Sequence, residues 1–148
     1  MLMNTAMRNW RASDGQFPRS APRWLAEQSF RHGDIPAVRQ FTRAFGARAH
    51  LDRRRLADLV LVVSEATAAA AARGPGTVRV RLWLTGTRAF CEVRGNGTLA
   101  WRAAHGTRHG EEGEEETLRR LVLRRLADYV SVASGPDGAW VQLSMTVS

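Results

Sequence analysis

The chain has 148 residues, the length of one ordinary domain, and 44% of them are hydrophobic, which excludes a wholly disordered protein. Its formal net charge is +8 and all 22 basic residues are arginine, which favours anionic partners such as nucleic acid, phosphates or an acidic protein face; alternatively, because the arginines are scattered along the sequence, they reflect a GC-rich genome. The lack of a long apolar run, of a signal-peptide core and of any cysteine besides Cys91 excludes a membrane span and an internal disulfide, and predicts a cytoplasmic protein.

Residues 1–28 are predicted to form a poorly ordered basic leader, or an arm that docks on a partner. Gly15, Pro18 and Pro22 interrupt this stretch, and arginine and serine are frequent in it. The domain itself is predicted to span residues 29–148.

Two successive helices are predicted after the leader. Asp34 can cap the first helix, Pro36 suits its first turn, and apolar side chains then recur at helical spacing. Asp52 can cap a second helix, which the Gly-Pro-Gly sequence at 74–76 ends. The inner face of this second helix is predicted to consist of Leu56, Leu59, Val60, Val63, Thr67 and Ala70.

A strand, a turn and a returning strand are predicted next. Residues 77–85 alternate between apolar and polar side chains, which is typical of a half-buried strand. Gly86 and Thr87 form the turn, and residues 89–93 return. Residues 94–116 are rich in Gly, His and Glu and are predicted to form a long loop.

The last third of the chain is predicted to form a helix up to Tyr129, a strand at 130–132, a turn at 135–138 and a final strand. Alternate residues from Ala139 to Val147 form the inner face of that strand. This order predicts an α+β fold, a two-layer sandwich of a mixed, mostly antiparallel sheet with helices on one face.

Several segments, in this order and spacing, resemble the anti-sigma-factor serine kinases of the GHKL ATPase superfamily, short ATP-binding regulators common in actinomycetes. The resemblance runs from about Phe30 to Val147 and implies the histidine kinase-like ATPase fold. The segments that carry it are 34–40 (DIPAVRQ), 59–74 on the second helix, 91–97 (CEVRGNG), 126–129 (LADY) and 138–140 (GAW).

The resemblance assigns two site positions to the second helix. In the family, a glutamate there acts near the attacking nucleophile, and an asparagine four residues later holds magnesium. Glu65 occupies the glutamate position and Ala69 the asparagine position. A methyl group cannot ligate a hard cation that requires oxygen. The alternative for Glu65 is a partly exposed helix acid, or one paired with an arginine.

The remaining family positions are also changed. Gly95 stands where an aspartate binds the adenine amine, Asn96 is its neighbour, and Gly97 matches the following glycine; alternatively, these three residues are simply a turn. Gly138 replaces an expected threonine. The family's lid wraps the phosphates, whereas five glutamates within residues 111–116 would repel a triphosphate.

Two further signals lie outside the family motifs. His105 and His109 have the spacing of metal ligands on a helix, but glycines beside them argue against a helix, and no metal site is predicted. Trp83 points outward beside Arg79 and Arg81 in the strand pattern. It is either an exposed interface residue or a side chain covered by a helix or tail of its own chain.

Three functions follow from these observations. The first is a regulator without a nucleotide cofactor that binds a protein, namely a sigma factor, an anti-sigma antagonist or a second copy of itself. The second is an active kinase that uses ATP and magnesium to phosphorylate a serine of an antagonist, with Glu65 as the catalytic base. The third is a protein that binds nucleic acid or another anionic ligand through its arginines.

Overall fold

The computed structural model describes residues 24–31, 34–71, 76–95, 121–135 and 138–147. Residues 121–126 are helical. The other elements are, in chain order, β1 (Trp24–Arg31), α1 (Ile35–Arg48), α2 (Arg53–Ala71), β2 (Thr77–Thr85), β3 (Arg88–Gly95), β4 (Tyr129–Gly135) and β5 (Gly138–Thr146).

The strands form one five-stranded sheet in the order β1-β2-β3-β5-β4. Every pairing between the described strands is antiparallel. The two predicted hairpins, β2–β3 and β4–β5, are confirmed, and they join where β3 lies beside β5. The predicted α+β fold is therefore confirmed.

Local sequence signals set where both helices begin. Asp34 Oδ1 accepts a hydrogen bond from the Ala37 amide at 3.2 Å, and Pro36 lies in the first turn of α1. Asp52 Oδ1 accepts a hydrogen bond from the Arg54 amide at 3.3 Å at the start of α2. Both predicted caps are confirmed. Neither α1 nor α2, nor the helical part of 121–126, is long and apolar enough to cross a membrane.

The core lies between the helices and one face of the sheet. Alternate strand residues point to this inner face, and the apolar faces of α1 and α2 pack against them. Leu123, from residues 121–126, joins the same core. A fully buried Leu, Val or Phe side chain stabilises a fold by roughly 1.5–3 kcal/mol, so this contact between layers dominates the stability. Its buried members include Phe30, Phe41, Phe45, Leu59, Val62, Val63, Val80, Leu82, Val93, Val141, Leu143 and Met145.

A polar cluster fastens α2 to the end of β5. The Nε and NH2 groups of Arg55 both donate to the Thr146 carbonyl oxygen, at 2.9 and 2.5 Å, and NH1 donates to Asp58 at 2.8 Å. Asp128 Oδ2 accepts hydrogen bonds from the amide and hydroxyl of Thr146, both at 2.9 Å. Arg88 lies 3.3 Å from the same carboxylate oxygen. The start of α2 is thereby held against the last strand.

Two elements differ from the sequence predictions. No strand was predicted at residues 24–31, where β1 crosses the expected leader boundary at residue 28. Tyr129 was predicted in a helix but is the first residue of β4, so that assignment is wrong. The reason is that the Asp128 amide bonds to the Ser144 carbonyl at 2.8 Å, which turns the chain into the sheet.

Candidate functional site

The helix α2 carries the first two predicted site positions one turn apart. Its interior is regular, and Ser64 and Thr67 each donate a side-chain hydrogen bond to the carbonyl oxygen four residues earlier, at 2.7 Å. Glu65 is half-buried on this helix. Ala69 is only 2% exposed and belongs to the hydrophobic core. The methyl group at the expected magnesium-ligand position is therefore used in packing.

Gly95, the predicted base-recognition position, ends β3 directly against the backbone of α2. A Cβ atom built on Gly95 would lie less than 3.0 Å from the carbonyl oxygen of Ala70, a distance that real Cβ atoms do not adopt. The obstacle is backbone, which cannot swing aside as a flexible side chain can. The structure thus brings the end of β3 onto the helix turn that contains Ala69, and the close packing needs a residue without a side chain.

The remaining predicted positions give less information. Gly138 is the first residue of β5 and pairs with Gly135 across the β4–β5 hairpin. Asn96 and Gly97 lie outside the described residues, as do the acidic segment 111–116, His105 and His109.

The fit of a magnesium–nucleotide complex can be tested at Glu65, Ala69 and Gly95. Magnesium requires oxygen ligands in near-octahedral geometry, and only Glu65 offers a carboxylate. The described part of the chain contains no group of three or more His, Cys, Asp or Glu side chains that could hold a metal ion. Gly95 has no side chain to accept a hydrogen bond from a purine amine. The described residues at these positions do not fit such a complex in the family's manner.

A network of charges crosses the outer face of the sheet, and the sequence analysis missed it. Glu27 pairs with Arg79 at 3.3 Å and with Arg81 at 3.6 Å, while Arg81 and Arg94 lie 3.8 and 3.5 Å from the carboxylate of Glu92. Glu92 Oε2 also accepts a hydrogen bond from Gln142 Nε2 at 2.9 Å, and both side chains are buried.

These partners compensate the cost of burying the Glu92 carboxylate. The signal that could have revealed the network is the alternation of arginine and glutamate on the outward positions of neighbouring strands.

The helix layer carries a second, unpaired set of arginines. Arg43, Arg48, Arg53 and Arg54 are exposed, and none of them makes an ion pair with another described residue. Arg39 is also exposed, and its Nε donates to Ser64 Oγ at 3.3 Å across the two helices. We call these five exposed residues, all on α1 and at the start of α2, the arginine face.

Trp83 is buried, which corrects one alternative of the sequence analysis. Its side chain is 2% exposed and stacks on the Phe90 ring, with centroids 5.5 Å apart and an interplanar angle of 9°. The expectation of an exposed interface tryptophan is therefore wrong. The other alternative, that a helix or tail of the same chain covers the Trp83 side chain, remains.

Cys91 is a buried free thiol on the inner face of β3. Burial, and secondarily the nearby Glu92 carboxylate, hold the pKa of this thiol far above its ordinary value. The thiolate that a nucleophile needs is therefore disfavoured.

Comparison with known protein families agrees with this architecture. The family model described as a histidine kinase-like ATPase domain matches residues 29–145, well over half of the chain. Comparison with curated proteins gives no match. The matched range begins inside β1 and ends in β5, so it contains α1, α2 and all five strands at least in part. The chain therefore belongs to the histidine kinase-like ATPase family.

Proposed function

We propose that this domain is a non-catalytic regulator of transcription that acts by binding a protein, with ATP binding impaired or lost. The observation that supports this most directly is that Gly95, at the expected base-recognition position, packs so closely on the Ala70 carbonyl oxygen that a side chain has no room. Ala69 supports the proposal as well, because it lacks the oxygen expected to ligate magnesium and its methyl group lies in the core. The packing of both layers is intact, so the fold remains available as a binding scaffold.

The proposed partner is a sigma factor or an anti-sigma antagonist. The resemblance to the anti-sigma-factor serine kinases suggests this class, and the arginine face supplies a complementary surface for an acidic protein. Leu61, 40% exposed on α2, is one of few large apolar side chains that the described residues leave open to solvent. An apolar residue on a helix layer that also carries unpaired arginines is typical of a protein-binding surface.

Direct binding to purified candidate sigma factors and antagonists, measured by calorimetry, tests the proposal. We expect one of them to bind without nucleotide, and magnesium–ATP to leave its affinity unchanged. Arg43→Glu should weaken binding, whereas Arg124→Glu, the same charge change at an exposed residue outside the arginine face, should not. Transfer of phosphate from labelled ATP to an antagonist, abolished by Glu65→Gln, would instead establish an active kinase.

Binding of nucleic acid or another anionic ligand is a second candidate, because the five arginines are gathered on one layer. Neutralised phosphates release counterions, so such binding falls steeply with salt. Five neutralised phosphates predict a slope of about −4.5 in log affinity against log salt, so titration of duplex DNA at about 50 and 200 mM salt should show a loss of affinity of roughly 500-fold. Absent or salt-independent binding would remove this candidate.

A further inference from the structure

The outer face of the sheet contains a row of side chains that crosses all five strands at one level. Strand register places Leu25 opposite Trp83, Trp83 opposite Phe90, Phe90 opposite Ser144, and Ser144 opposite Tyr129. We call these five residues the outer row. Its first three members are large and apolar, and Trp83 and Phe90 stack face to face.

The outer row is buried although the helices lie on the other side of the sheet. Leu25, Trp83, Phe90 and Ser144 are each at most 5% exposed. Every one of them alternates with a core residue and so points away from α1, α2 and Leu123. Neighbouring strands stand about 4.8 Å apart and cannot by themselves shield a tryptophan that projects from the sheet. Another part of the protein must therefore cover this face.

The extent of the cover follows from the next two levels of the sheet. Glu92 and Gln142 pair with each other two residues along β3 and β5 from Phe90 and Ser144, and they are also buried. Arg79 and Arg94, at the level after that, have side chains that are 57% and 51% exposed. The cover thus lies over the end of the sheet that contains the outer row and stops before the level of Arg94.

Chain direction identifies which segment reaches that end. Residues 1–23 enter β1 at Trp24, immediately beside Leu25 of the outer row. Residues 96–120 leave β3 after Gly95, at the opposite end of the sheet, and lead to residues 121–126, whose Leu123 lies in the inner core. The segment 1–23 is long enough, because 23 residues span about 35 Å even when fully helical, whereas five strands span about 19 Å.

The sequence of this segment has the chemistry that the outer row requires. Apolar residues in it recur at i, i+4 and i+7, the spacing of one helix face, from Met3 through Met7 to Trp10. Thr5 and Asn9 fall on the opposite side of the same pattern. An amphipathic helix with this pattern places methionine and tryptophan on one side, and both types pack well on aromatic rings.

We propose that the N-terminal segment 1–23 packs its apolar side on the outer row of its own chain and closes the second face of the sheet. The outer face is thus an interaction surface that binds a segment of the same chain. This inference concerns the sheet face opposite the arginine face and does not rest on the proposed function.

Thiol labelling of the full chain tests the proposal. Ser144→Cys places a thiol in the outer row, and Cys91, on the inner face, reports unfolding because it is reached only when the layers separate. We expect the thiol at 144 to be protected in the parent background. Met7→Asp with Trp10→Asp should speed its labelling by at least about tenfold while Cys91 stays protected. Thr5→Asp with Asn9→Asp, which adds the same charge on the polar side, should leave the protection unchanged.

Three results would overturn the proposal. They are rapid labelling at 144 in the parent background, continued protection in the Met7→Asp, Trp10→Asp variant with Cys91 protected, and protection that depends on protein concentration, which would assign the cover to a second copy.

If the charged variant unfolds, so that both thiols react, photo-crosslinking decides. Benzoylphenylalanine at position 10 of the full chain should crosslink within the chain to peptides from residues 77–94. An adduct between two chains, or one confined to α2, would contradict the proposal.

Discussion

Gly95 illustrates how close packing between a helix and a strand restricts which side chain one position can carry. The residue ends β3 where the backbone of α2 comes closest, and only hydrogen fits between Gly95 and the Ala70 carbonyl oxygen. An aspartate there would have to displace the helix. The absence of a base-recognising carboxylate and the close packing of helix on strand are therefore the same structural fact.

Gly95→Ala is expected to destabilise the fold by about 1–3 kcal/mol, because overpacking against rigid backbone forces α2 to shift. Urea unfolding measures this change. Gly86→Asn is the matched control: nothing lies within 4 Å of a Cβ there, and its φ of 59° suits asparagine. The control should stay within about 0.5 kcal/mol of the parent. Equal effects at the two glycines would show that the approach of α2 is not tight.

Cys91 should make stability depend on pH in the alkaline range. The folded state keeps the thiol proton because its pKa is raised by burial, whereas the unfolded thiol ionises above its ordinary pKa of about 8.5. Unfolding then releases a proton, and the free energy of unfolding falls by up to about 1.4 kcal/mol per pH unit above that value. The stability that Cys91 contributes is complete below pH 8 and is lost as the pH rises.

Urea titrations of the parent and of Cys91→Ala between pH 7 and pH 11 measure this effect. The free energy of unfolding of the variant is lower at pH 7, because removal of the thiol leaves a cavity in the core. The difference in this free energy between parent and variant should be constant below pH 8 and should narrow above it. Parallel curves over the whole range would contradict the account.

At the level of elements, the sequence predicted what is specified locally. Helix caps at Asp34 and Asp52, the turn at Gly86 and the alternation of 77–85 each depend on a few adjacent residues, and all were found. The strand β1 was missed because Leu25 faces outward and the neighbouring Ala26 faces the core, so its pattern does not alternate. Leu25 and Ala26 are buried on opposite faces while Gln28 and Ser29 are exposed on opposite faces, so the simple signal of a half-exposed strand is absent.

The candidate site was predictable only in part, for a similar reason. Resemblance located Glu65, Ala69 and Gly95 on α2 and β3. It could not show that Gly95 packs on the Ala70 backbone, because that contact joins elements distant in sequence and depends on how closely the layers pack. The charge network around Glu92 was missed for the same reason, since its members come from four strands.

Arg55→Ala should destabilise the protein by about 1–2 kcal/mol, since its guanidinium group joins α2 to the Thr146 carbonyl and is partly shielded from solvent. Thermal and urea unfolding measure the loss. The adjacent Arg54→Ala is the control, because Arg54 is exposed and its side chain makes no ion pair in the described structure; it should change stability by less than about 0.5 kcal/mol. A similar loss at both positions would show that the contact between Arg55 and the Thr146 carbonyl is not its cause, since alanine is the better helix former.

At the scale of the whole molecule, the two faces of one sheet serve different purposes. The inner face packs on α1 and α2 and keeps the family's architecture. The helix layer presents the arginine face, while the charges of the outer sheet face are paired with one another. Positive charge is thus left unpaired on the layer where we propose that a protein partner binds.

Calorimetric titration of the parent chain with magnesium–ATP tests the central claim most directly. With no oxygen ligand at position 69 and no side chain at position 95, we predict no saturable heat at nucleotide concentrations up to about 1 mM, which corresponds to binding weaker than about −4 kcal/mol. Saturable, magnesium-dependent binding in the low micromolar range, weakened by Glu65→Gln, would contradict the central claim. It would mean that this site still binds a nucleotide.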